Sequence, residues 1–221
     1  MFTLASTIQD RYPDWNTSGL AVTLYDYEAQ CSLTLAHNSL SYVREMKKEK
    51  AKGGDDARIQ AILEHIGPKL QKKSYERVGL RCLFLSPVEM NFEMLTSLIS
   101  EKFLVQNKEI TESICPDLID LAYTVIFVDN GLRVHLRAGP LKRDEIEIHF
   151  QPDRNNLPPA TRGLPADKLY SDYPDVSLFM DIDVSKKDVK EGELSQFYVD
   201  AQGIQLKLSQ NMLRYIFGMK D

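Results

Sequence analysis

Apolar residues change their spacing along this chain between a period of two and one of roughly 3.6, and each change marks an expected element. Phe2, Ile8 and Tyr12 fall on one face of a short helix that stops at Pro13. Leu20, Val22 and Leu24 then alternate with Ala21, Thr23 and Tyr25, and Leu33 and Leu35 alternate with Ser32 and Thr34, which predicts a hairpin turning around residues 28–30. From Asp55 the spacing lengthens. Ile59, Ile62, Leu63, Ile66 and Leu70 predict an amphipathic helix with Asp55 and Asp56 at its positive end, ended or kinked at Gly67-Pro68. Val78, Leu80, Cys82 and Phe84 alternate with Arg77, Gly79, Arg81 and Leu83 as a strand with one polar face, and Val88, Phe92, Leu95, Leu98, Ile99 and Phe103 return to helical spacing.

The clearest hairpin spans Leu121 to Arg137. Its Asp129-Asn130-Gly131 turn supplies residues that tolerate positive φ, as a tight type I′ connection requires. Leu132, Val134 and Leu136 point one way and Arg133, His135 and Arg137 the other. A third strand of this meander is expected over Glu145 to Phe150, with Ile146, Ile148 and Phe150 inward and Glu145, Glu147 and His149 outward. Over Val176 to Val184, Leu178, Met180, Ile182 and Val184 alternate with Phe179, Asp181 and Asp183. A long C-terminal helix carries Leu194, Phe197, Tyr198, Ala201, Leu208, Met212 and Ile216 on one side, with Gly203 as its weak point. The expected fold class is therefore α+β, antiparallel sheet covered on one face by helices. A weak internal repeat is also expected, since both halves set long helices against antiparallel β structure.

At 221 residues the chain is read as one domain, 1–221, with 1–105 and 106–221 as halves. Turn-rich stretches at 50–56 and 152–174 interrupt the pattern, the second as a long surface loop. The longest apolar runs, such as Leu121 to Val128, are strand-sized, so no membrane-spanning helix is expected. Asp10, Arg11, Pro13 and Asp14 break the apolar core that a secretory leader would need. Cys31, Cys82 and Cys115 are odd in number and unpatterned, which suits a reducing, cytoplasmic setting. His37, His65, His135 and His149 show no zinc-ligand spacing, and neither a P-loop, a nucleophile elbow nor a dinucleotide fingerprint is present. No cofactor is expected.

The stretch Tyr75-Glu76-Arg77-Val78-Gly79-Leu80-Arg81 resembles the signature of a sporadically distributed bacterial family of unknown function, centred on an R-[IV]-G-L-R-Y-[IV]-N strand. That family's C-terminal L-D-I-D-V strand, followed by a helix ending in an N-x-x-F-like segment, is similar to Met180–Val184 and to Asn211–Phe217 here. The likeness covers roughly residues 20–217. Cys82, Leu83 and Phe84 stand where the family shows Tyr, Ile or Val, and Asn. What the resemblance implies is the fold, and a place in a bacterial multi-gene system such as anti-phage defence or toxin control.

Three function classes compete. The preferred one is a non-enzymatic accessory or adaptor subunit that binds a protein partner encoded nearby, or a second copy of itself, with Leu164, Leu169, Tyr170 and Tyr173 of the proline-rich loop as exposed anchors. The alternative is a divalent-metal nuclease or hydrolase. Asp181 and Asp183 share one strand face about 7 Å apart, a spacing that suits a hard cation, with Glu145, Glu147, His135 and His149 as helpers. Against it, Arg77, Arg81, Arg133 and Arg137 offer these acids cross-strand partners. The third class is nucleic-acid binding. Residues 44–81 hold eleven Lys or Arg against six Asp or Glu, in a chain of net charge −5, and Lys47, Lys48, Lys50, Lys52, Lys72 and Lys73 form the patch. It lacks interleaved aromatics, and the acidic balance of the whole argues against general affinity for nucleic acid.

Overall fold

The computed structural model describes residues 14–18, 21–26, 31–36, 39–44, 59, 62, 74–104, 118–146, 161 and 163–218. Backbone packing divides the chain into two compact units, Met1–Lys73 with Pro152–Leu164, and Ser74–Gln151 with Pro165–Asp221. The division does not coincide with the halves 1–105 and 106–221, and it splits the proline-rich stretch between the units.

In the first unit, β1 (Asp14–Ser18), β2 (Ala21–Asp26), β3 (Cys31–Ala36) and β4 (Leu40–Arg44) form an antiparallel meander in chain order. The hairpin expected from alternation is β2–β3, with Val22 opposite Leu35 and Leu24 opposite Leu33. These four residues, Cys31 and Ile62 form a buried cluster. On the other face Thr23 and Thr34 join through their hydroxyls at 3.1 Å. Ile59 and Ile62 are helical, whereas the rest of the helix expected over 55–70, and the one expected before Pro13, lie outside the described residues.

The second unit is a four-stranded antiparallel sheet of order β5-β8-β7-β6, comprising β5 (Ser74–Pro87), β6 (Tyr123–Asp129), β7 (Leu132–Lys142) and β8 (Val176–Lys190). Asn130 and Gly131, at φ 49° and 76°, close the β6–β7 hairpin with the expected turn. Three apolar rows run across all four strands: Leu80, Val184, Val134, Phe127; Cys82, Ile182, Leu136, Val125; and Phe84, Met180, Ala138, Tyr123. They are covered by α1 (Phe92–Phe103), which packs on β7, and by α3 (Leu194–Phe217), which packs on β8 and β5, while the short α2 (Ala166–Leu169) precedes β8 in the chain. Leu95 and Ile99 from α1 and Phe197, Ala201, Ile204, Met212 and Ile216 from α3 complete this core. The α+β class with helices on one sheet face is what the sequence predicted.

Local chemistry sets the ends and seams. Asn91 caps α1, its Oδ1 accepting the Met94 N–H at 2.8 Å. Helix α3 runs through Gly203 as one element. Its Gln205 is buried, and its Nε2 donates to the backbone oxygens of Leu80 at 2.8 Å and Ile182 at 3.0 Å, tying the helix to two strands. Gly139 has no room for a side chain: a Cβ there would lie 2.5 Å from the Leu121 carbonyl oxygen and 3.1 Å from the Phe179 ring. Burial pushes the Cys82 thiol up to about 11, in keeping with its place in an apolar row.

Two expectations are corrected. The meander does not continue into a strand starting at Glu145, because Arg143–Glu145 is a 3₁₀ turn and Ile146 is buried beyond it. The Glu145 carboxylate folds back to accept the Lys142 backbone N–H at 2.9 Å, which turns the chain out of the sheet, and β8 takes the place beside β7. Residues 147–150, with Glu147 and His149, lie outside the described residues. The strand orders of the two sheets differ, so the connectivity does not support the internal repeat.

Candidate functional site: the open face of the second sheet

Strand alternation that builds the apolar rows sends the intervening residues to the opposite face. Across the sheet these read Gly79, Ser185, Arg133, Val128; Arg81, Asp183, His135, Ile126; and Leu83, Asp181, Arg137, Thr124. One end of this face is closed. There Leu85 and Phe179 pack with Leu141, Ile146, Leu169, Tyr170 and Tyr173 in a satellite cluster. The remainder is open: Ile126 is 56% exposed, Val128 70% and Leu83 41%.

The acidic pair at the centre is held from one side. Arg81 grips Asp181 with both ends of its fork, Nε to Oδ1 at 2.8 Å and Nη2 to Oδ2 at 2.7 Å. The hydrogen bond to Asp181 holds the Arg81 guanidinium above its ordinary pKa, against the opposing effect of burial. Arg77 reaches diagonally to Asp183, Nη2 to Oδ2 at 2.8 Å. It passes Gly79, where a Cβ would sit 3.5 Å from Asp183 Oδ1 and 3.6 Å from Arg77 Nη2. The strands that carry the two quoted motifs, Arg77 to Arg81 and Met180 to Val184, are therefore neighbours joined by their charged residues.

On the far side of β8 the arrangement differs. His135 and Arg137 stand opposite Asp183 and Asp181 in register, yet both carboxylates are engaged by β5. Arg137 lies over the Phe179 ring, 5.4 Å from its centroid. Among the described residues no carboxylate engages Arg133, His135 or Arg137 within ion-pair distance. The neighbouring open-face residues of β6, Thr124, Ile126 and Val128, are uncharged.

This geometry tests the other candidates. Asp181 and Asp183 do share a face, but arginines engage both oxygens of Asp181 and Oδ2 of Asp183, and no group of three or more His, Cys, Asp or Glu able to hold a metal occurs among the described residues. Among the described residues the pair has no third acidic or histidine ligand grouped with it, and two of the expected helpers, Glu147 and His149, lie outside those residues. Glu145 has turned away to Lys142. Lys47, Lys48, Lys50, Lys52, Lys72 and Lys73 lie outside the described residues.

The expected exposure of the loop anchors is corrected. Tyr170 is only 7% exposed, and Leu169 and Tyr173 are half-buried beside it, because the segment folds back on Phe179 and Leu141. Tyr170 and Tyr173 meet edge to face at 5.7 Å. Leu164, half-buried, falls in the first unit, its N–H bonded to the Thr161 carbonyl at 3.0 Å. A shallow hollow lined by Phe92, Lys142, Arg143, Asp144, Asp175 and Val176 offers no catalytic arrangement, since Arg143 is paired with Asp175 and its Nη1 donates to the Ser171 carbonyl at 3.1 Å.

Sequence reasoning assigned no role to Leu83, Ile126 and Val128. The signal was there in Thr124, Ile126 and Val128, which alternate with the core residues Val125 and Phe127 and so had to face the side carrying Arg133, His135 and Arg137. Among the described residues no helix is long and apolar enough to cross a membrane. Comparison of the chain with protein-family models, curated proteins and solved structures returned no match.

Proposed function

We propose that this chain is a non-enzymatic binding subunit that engages a protein partner through the open face of its second sheet. One observation carries the reading: Arg133, His135 and Arg137 stand beside exposed Ile126 and Val128 with no carboxylate of the described residues engaging them. Arginine together with apolar area is the composition that protein interfaces favour. A single-stranded nucleic acid would call for a row of exposed rings. On this face Phe179 is buried and Tyr75 is half-buried at the far end of β5. The narrower setting, an accessory subunit in a bacterial multi-gene system, rests on the resemblance in Tyr75–Arg81 and Met180–Val184.

The experiment is recovery of tagged full-length chain from cells expressing its genomic neighbours. A stoichiometric protein should stay with the wild type and with a control change on α1, Glu101→Gln, and be lost from Ile126→Asp and from Arg133→Gln/Arg137→Gln. Retention of that protein by both open-face variants would refute the reading.

A further inference from the structure

We propose that the partner lays an extended acidic segment along β7, with carboxylates on alternate residues meeting Arg133, His135 and Arg137. The inference rests on the open face being the binding surface, and it specifies the chemistry of what binds there.

Charge is the first argument. In the β5–β8 half of the face two arginines are paired with two aspartates, and Lys187 lies beyond them at the far end. The β7–β6 half adds two further arginines and a histidine, with no acid from β6 to balance them. In a chain whose net charge is −5, this is a local reversal of sign, and it attracts an anionic partner to one half of one face.

Spacing is the second. Arg133, His135 and Arg137 repeat every second residue of a strand, at intervals of about 6.8 Å. The side chains on one side of an extended peptide repeat at the same interval, so three carboxylates stay in step with the row. On a helix, residues four apart advance by about 6 Å while rotating away, and the match is lost by the third.

The wall beside the row is the third. Val128 and Ile126 stand next to Arg133 and His135 in register, 70% and 56% exposed. An acidic segment laid over β7 would cover them with its methylene groups, and displacing water there strengthens each carboxylate–guanidinium attraction.

The test uses the isotope-labelled full chain at low salt, about 20 mM, where surface charges are weakly screened. Backbone amide shifts are followed while a capped heptapeptide of alternating glutamate and serine is added. Its isomer with the same glutamates contiguous, and a uridine heptanucleotide, are the comparison probes. The alternating peptide should move amides of β6 and β7 and bind several-fold more tightly than its isomer. Arg133→Gln/Arg137→Gln should weaken it roughly tenfold, and the exposed single change Arg133→Gln by a smaller factor. Equal affinity for the two peptides, no shifts on β6 and β7, or tighter binding of the oligonucleotide would each overturn the inference. Loss of the cellular partner on Arg133→Gln/Arg137→Gln, with no peptide binding by the wild type, would sink this inference alone. Retention of that partner by the open-face variants would sink the reading beneath it.

Discussion

The two faces of the second sheet are built from the same four strands in the same register, and they differ in nearly everything else. The covered face stacks apolar side chains three rows deep under two helices. On the open face Arg77 and Arg81 reach diagonally past their register partners to Asp183 and Asp181, and β7 and β6 are left with cations and exposed apolar groups side by side. The difference shows how a period-two sequence divides labour: one parity of residue supplies cohesion through non-directional burial, and the other is free to carry charge whose contribution to stability is small.

The comparison breaks most visibly by truncating a residue on each face. Ile182 is fully buried at the centre of the middle row, and Ile182→Ala should cost about 2–5 kcal/mol. Ile126→Ala, one strand from the charged row on the open face, should stay within about 0.5 kcal/mol. Trp15 lies in the first unit, so tryptophan fluorescence would report on the wrong part of the molecule; amide exchange of β8 is the suitable measurement. Equal costs for the two changes would mean that the open face is covered in solution.

Gln205 places a polar group on the cohesive side. Gln205→Leu keeps the bulk but removes the donor shared by the Leu80 and Ile182 carbonyls, and should destabilise the second unit by about 1–3 kcal/mol. An unchanged or raised stability would show that those carbonyls are satisfied without it.

These residues also show where the sequence was legible. Alternation in 121–137 and 176–184 gave the strands, their inward sets and the turn at Asn130-Gly131, because one-sided burial fixes parity strongly. Pairing order was not legible. Nothing local says that β8 is inserted between β5 and β7, since that choice is made by long-range packing, while Glu145 ended the expected third strand through one side-chain to backbone bond. Gln205 falls on the buried stripe with Ala201, Leu208 and Met212, and a hydrophobicity pattern passes over a polar residue whose partners are backbone atoms of distant strands. Tyr170 and Tyr173 looked like anchors because their segment has no period; the satellite cluster that buries them is assembled from β5, β7 and β8.

On the open face, Asp181→Asn and Asp183→Asn should each cost no more than about 1 kcal/mol, because their arginine partners are more than half exposed. A double-mutant cycle between positions 81 and 181 should give a larger coupling than one between 77 and 183, since only the first pair is bidentate. Coupling of several kcal/mol in either cycle would contradict the view of this face as one whose charges contribute little to folding.

The smallest effect lies at the margin of the covered face, where Lys186 of β8 meets Glu193 just before α3. The Lys186 Nζ lies 3.2 Å from Glu193 Oε2, and this hydrogen bond, with the attraction of the ammonium charge, holds the Glu193 carboxyl below its usual range. A depressed folded pKa stabilises the native state above the unfolded carboxyl's pKa, and the contribution fades as pH falls through the folded value. Carboxyl-carbon NMR of the full chain should therefore give Glu193 a midpoint below that of an unperturbed glutamate, and Lys186→Ala should raise it toward the ordinary value, with Lys190 still holding it down in part. A midpoint indifferent to Lys186 would show that the pair does not persist in solution, and that the covered face owes its margin to packing alone.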